Sequence, residues 1–156
     1  MPTDEMTFIS TVLSFKAHYA EGANDFQKST VRRDRATALA TVLPTRSADG
    51  WIGTVSAMRT TSDGDGILEI HPLGQESITI ESGISLLGNN TLIRPGSQLY
   101  QQVSHLSVGA KVIFSGRFES SDLDYLKEGS LTEPGAMDEP EFIFGFTDVK
   151  PVSEQQ

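Results

Sequence analysis

The feature that most constrains this chain is a change of hydrophobic period at Trp51. Ahead of it, Phe8, Val12, Phe15 and Tyr19 recur at spacings of four, three and four, which draws one apolar stripe down a helix. From Trp51 onward the apolar positions alternate, as in Trp51, Gly53, Val55 and Ala57, and alternation places every second side chain on one face of a strand. A chain that switches period once, and does not switch back at regular intervals, is a helical segment followed by a sheet, with no series of βαβ units.

The helical part divides in two. The first helix is expected from Asp4 to Ala20, with Gly22 closing it. Asn24 and Gln27 form a capping-box pattern that opens a second helix, and Pro44 stops that helix after Leu43. Its apolar face is thin, comprising Phe26, Val31, Ala38, Leu39 and Val42, and Arg32, Arg33 and Arg35 read as a solvated face that pairs with Asp34 and with acids of the barrel. Residues 45–50 read as a linker.

The sheet part begins with a strand over Gly50–Arg59. The turn TTSDGDG (Thr60–Gly66) carries two Asp-Gly pairs, which supply the positive φ of a hairpin. Strands follow at Ile67–His71 and Ser77–Glu81. Pro95-Gly96-Ser97 introduces a short helix bearing Leu99, Val103 and Leu106. Strands at Lys111–Phe118 and Phe142–Val149 complete the set, separated by a long loop, Glu119–Pro140. The order strand-strand-strand-helix-strand-strand is that of a five-stranded OB-type barrel. The fold class expected is therefore mainly β with N-terminal helices: an arm over 1–44 packed on a barrel over 50–150, then a tail over 151–156. Trp51, Val55, Leu68, Ile70, Val112, Phe114, Phe142 and Phe144 should fill the barrel. An immunoglobulin-like sandwich is the rival, but it wants about seven strands and no mid-chain helix.

Several segments resemble a family of uncharacterised bacterial OB-like proteins. They are VIFSGRF (Val112–Phe118), EGSLTEPGAM (Glu128–Met137) and PEFIFGFTDV (Pro140–Val149), with WIGTV (Trp51–Val55), SDGDG (Ser62–Gly66), NTLIRPGSQLY (Asn90–Tyr100) and NDFQKSTVRRDR (Asn24–Arg35). Together they span most of residues 24–150, and Glu81–Gly88 departs from the pattern. The resemblance implies the barrel and carries no activity. Some relatives look membrane-anchored ahead of the first helix, which leaves room for an exported or anchored form. The chain itself shows no apolar run near the ~20 residues of a membrane span and no signal-peptide pattern, so the cytoplasm is the default expectation.

Charge narrows the ligand classes. The formal net charge is −9. Residues 1–40 balance five bases against five acids, so the whole excess lies in the barrel part. Between Ile67 and Glu81 there is no Phe, Tyr or Trp and no Lys or Arg, whereas single-stranded nucleic acid needs stacking platforms and a positive groove. Composition therefore disfavours nucleic acid as a partner. The absence of cysteine removes thiolate chemistry. His18, His71 and His105 share no metal-ligand spacing, and Asp63 and Asp65 lack the further oxygens of a calcium loop. No phosphate loop, dinucleotide fingerprint or nucleophile elbow is present, so no cofactor is expected.

The reading this supports is a non-catalytic protein-interaction module whose partner has a basic surface. The alternatives are a binder of small ligands or single-stranded nucleic acid, and a hydrolase. The candidate binding residues lie on the two loops flanking the barrel face and on the face between them. They are Asp63 and Asp65 in the turn, Glu69 and His71 on the second strand, and Asp122, Asp124, Glu128, Ser130 and Thr132 in the long loop. That loop is expected to turn its acids outward and Leu123, Tyr125, Leu126, Leu131 and Met137 inward.

Overall fold

In a computed structural model the chain is described over residues 2–83, 91–129 and 132–152. Two helices come first, α1 (Thr3–Ala20) and α2 (Asp25–Val42). The Asn24 side chain accepts from the Gln27 N–H at 3.0 Å, and the Gln27 carboxamide accepts from the Ala23 N–H at 2.8 Å, so a capping box opens α2 as its sequence predicts. Then come β1 (Ser47–Thr60), β2 (Gly66–Pro72), β3 (Thr79–Glu81), α3 (Gln98–Ser104) and β4 (Lys111–Phe118). The chain ends with β5 (Ser120–Ser121), β6 (Tyr125–Leu126), α4 (Glu133–Asp138) and β7 (Glu141–Pro151).

Five strands close a barrel in the order β1-β2-β3-β7-β4, and β4 returns to β1. Only β3 and β7 run parallel. With α3 between the third and fourth barrel strands, this is the OB-type barrel expected. Helix and strand are about equal in extent, so "mainly β" overstates the sheet. The helix not expected from the sequence is α4, which lies within the segment expected to be a loop.

Several boundaries differ from expectation, among them β3, which begins at Thr79 and not at Ser77. Strand β1 begins at Ser47, inside the supposed linker, because its first half pairs with β4 and its second half with β2. Bulges between Ala48 and Trp51 and between Val55 and Ala57 let one long strand serve both neighbours. Strand β7 runs into the supposed tail, and the Val152 N–H donates to the Lys111 carbonyl at 2.9 Å. The long loop holds the β5–β6 hairpin and α4.

The eight expected core residues are each at most 1% exposed. Aromatic rings fill the interior edge to face, with Phe118–Phe144 centroids 4.8 Å apart and Phe144–Phe146 4.9 Å apart. Two glycines permit this packing. A Cβ at Gly116 would overlap the Gly145 carbonyl, and one at Gly53 would overlap Ile70, so β4 and β7, and β1 and β2, approach as closely as they do only with hydrogen at those positions.

Helix α1 packs on the barrel, as its stripe predicts. Phe8 is fully buried, with its ring 5.3 Å from Trp51 and 5.3 Å from Phe142. Val12 and Tyr19 are buried too, while Phe15 is half-buried against His18. Helix α2 departs from its expected face. Leu39 is buried, Phe26 is 87% exposed, and the largest side chain α2 buries is Arg35.

Candidate functional site

The expected site residues fall into two separate places. The first is the seam between α2 and the 119–140 segment. Arg32 grips Asp124 with two parallel bonds, Nε to Oδ1 at 2.7 Å and Nη2 to Oδ2 at 2.9 Å, and its Nη1 reaches Glu133 at 3.2 Å. Tyr19 donates to the other Glu133 oxygen at 2.9 Å. Arg35 donates to the Ala136 carbonyl at 2.9 Å, lies over the Phe142 ring and faces Glu128 Oε2 at 3.6 Å. Glu128 Oε1 accepts from the Glu141 N–H at 3.0 Å.

This corrects two expectations. Asp124 and Glu128 do not face outward; their side chains are 7% and 5% exposed. Leu123, expected inward, is 54% exposed. Arg32 pairs with acids of the barrel part, as expected, but the face is not solvated: of the three only Arg33 is exposed, and Arg35 is buried. The reason is that the two arginines enter the seam from α2 and need acceptors there, because a buried guanidinium without them is costly. Burial pushes the Glu128 carboxyl up to about 7 against the opposing pull of Arg35, and burial lowers Arg35. Arg32 is raised by its bond to Asp124.

A polar cavity of about 310 Å³ opens beside this seam, lined by Asp124, Glu128 and Thr132 among others. Thr132 caps α4, accepting from the Gly135 N–H at 3.1 Å. The carboxylates here are largely engaged in holding the arm to the barrel. Asp122 is exposed on the β5–β6 turn, and Ser130 lies outside the described residues.

The second place is the outer face of β2 and β3. Glu69 and Glu81 stand directly opposite each other across the two strands, and like charges in that position repel. Glu141 adds to the repulsion: Glu81 is pushed up to about 7 by burial first, then by Glu69 and Glu141, with Arg59 opposing. Arg59 pairs with Glu69. Among the described residues no ion pair reaches Glu81 or Glu141. His71 places Nδ1 2.9 Å from the Ile78 carbonyl, which holds that nitrogen as the N–H. Asp63 and Asp65 sit on the β1–β2 turn, where the Thr61 hydroxyl accepts from both backbone N–H groups. Among the described residues no group of three His, Asp or Glu is placed to hold a metal ion, and no helix is long and apolar enough to cross a membrane.

Sequence reasoning therefore left Arg59, Glu81 and Glu141 out of the candidate set. Arg59 and Glu69 are ten apart in sequence and meet only through the hairpin register. Glu141 joins the face only because β7 lies parallel to β3. The signal for Glu81 was present, since it ends an alternating strand two residues after Thr79.

No protein-family model, curated protein or solved structure matches this chain.

Proposed function

We propose that this protein is a non-catalytic interaction module that receives a basic partner protein on the outer face of β2 and β3. One observation carries the reading. Asp124, Glu128 and Glu133 of the long loop are engaged by α2, whereas Glu81 and Glu141 have no ion pair among the described residues and Glu81 feels the charge of both Glu69 and Glu141. Repulsion held on a folded surface is relieved when a partner brings cations to it, so this face favours lysine- and arginine-bearing ligands. The same charge opposes a phosphate backbone. The filled aromatic interior argues against an enclosed ligand site within the barrel.

The long loop plays a smaller part than its acids suggest. Asp122 is its exposed acid nearest the β5–β6 turn and serves as a control. The test is the association rate of a lysine- and arginine-rich peptide, followed by stopped flow. Glu81→Gln with Glu141→Gln should slow association and flatten its salt dependence, while Asp122→Asn should leave both nearly unchanged. Equal rates for all three proteins would sink the reading. Because Glu81 ionises near neutrality, binding should also strengthen from pH 6 to pH 8.

A further inference from the structure

We infer that the partner anchors itself by one bulky aliphatic side chain, inserted into a pocket at the base of the β1–β2 hairpin. This inference rests on the acidic-face reading above and extends it to the partner's own sequence. The pocket has a volume of about 240 Å³ and is walled by Met58, Arg59, Ile67, Ile93, Tyr100 and Val103. It falls below the roughly 300–1,000 Å³ of sites that take whole drug-sized ligands, and its lining is mostly apolar. It therefore suits a single hydrophobic side chain and not an independent small molecule.

The walls are held in place. The Gly66 N–H donates to the Ile93 carbonyl at 2.7 Å, and the Ile93 N–H returns to the Gly66 carbonyl at 2.9 Å. The Tyr100 hydroxyl donates to the Gly64 carbonyl at 3.2 Å, tying α3 to the turn. Ser97 caps α3, accepting from the Tyr100 N–H at 3.0 Å. A Cβ at Gly66 would sit at ordinary contact distance, 3.4 Å from the Ile93 Cβ and 3.5 Å from the Tyr100 ring, so β2 packs closely against both walls. A site built this way loses little ordering entropy on binding.

Register joins the pocket to the acidic face. Arg59 pairs opposite Ile67, and Ile67 and Glu69 are two apart on β2, so they share a face. Glu69 then stands opposite Glu81. The Arg59–Glu69 ion pair neutralises the lip of the pocket. By register Glu81 lies one strand and two residues from Ile67, about 8 Å, and Glu141 two strands and four residues, about 16 Å, a reach of roughly three to five residues of extended chain. Charge complementarity with these carboxylates selects the occupant: a basic segment carrying a leucine-like residue roughly three to five positions from its lysines or arginines.

The probes are two synthetic peptides, LSSKRK and SSSKRK, titrated into the isotopically labelled full chain and followed by NMR. LSSKRK should bind about tenfold tighter or better, the factor that burying one aliphatic side chain supplies. It should shift the methyl signals of Ile67, Ile93 and Val103, and SSSKRK should not. Ser104→Trp, which fills the pocket from the exposed side of α3, should bring LSSKRK to the affinity of SSSKRK. Ile67→Thr, which trims the wall, should lower the affinity for LSSKRK alone. Glu81→Gln with Glu141→Gln should weaken both peptides alike. Equal affinities for the two peptides, still weakened by the glutamate substitutions, would overturn the anchor and leave the acidic face standing. No binding of either peptide would overturn both.

Discussion

Glu5 shows how far a single side chain can depart from its usual role in a first helical turn. Acids there ordinarily favour the helix N-terminus from the solvent side. Glu5 is instead fully buried, and its Oε1 accepts from the Ile52 N–H of β1 at 2.8 Å. Its second oxygen has no hydrogen-bond partner. Burial pushes its carboxyl up to about 7, and neighbouring Asp4 adds to the rise. The folded state therefore binds a proton more tightly than the unfolded chain. The stability this contributes is full below about pH 4.5, the ordinary carboxyl value, and is lost as pH rises through about 7. Glu128 and Glu81 are raised in the same sense. Urea midpoints should accordingly fall between pH 5 and pH 8. Glu5→Gln keeps an acceptor for Ile52 and removes the titration, so its midpoint should vary less over that range. A variant with the same pH slope as the parent would refute the assignment.

Among the elements, the 119–140 segment owes its shape to a helix distant in sequence. Apolar residues alone would pin it loosely. Leu126 and Met137 are buried, but the specific grip is Arg32 on Asp124 and Glu133, with Lys16 near Asp138 at 3.7 Å on the surface. The bidentate Arg32–Asp124 pair fixes direction as well as distance. Asp124→Asn should cost about 2–3 kcal/mol, the usual loss for a buried hydrogen bond to a charged group, read from urea denaturation. Asp122→Asn, on the exposed turn beside it, should stay within about 0.5 kcal/mol. Similar losses for the two would mean the seam is not what holds the segment. Arg32 and Asp124 are separated by 92 residues, and no local rule connects them.

At the scale of the whole molecule, a net charge of −9 and an outer face with Arg59 as its paired cation disfavour nucleic acid. A fluorescence-anisotropy titration with a mixed single-stranded oligonucleotide at physiological salt should show no binding; sub-micromolar affinity would overturn this. Elements whose signals are local are legible in the sequence. Period and alternation located α1, α2 and the barrel strands, Asn24 and Gln27 marked the start of α2, and the alternating apolar positions named the barrel core. Those signals are short-range because backbone geometry repeats every 3.6 or two residues. Which charges are structural and which are free follows from the packing of distant segments. Arg35 and Arg33 are two residues apart and chemically identical, yet one is buried under the barrel and the other is exposed. Asp124 and Asp122 divide the same way. A side chain's solvation depends on what the rest of the chain brings against it, and partners 92 or 101 residues away leave no mark on the local pattern.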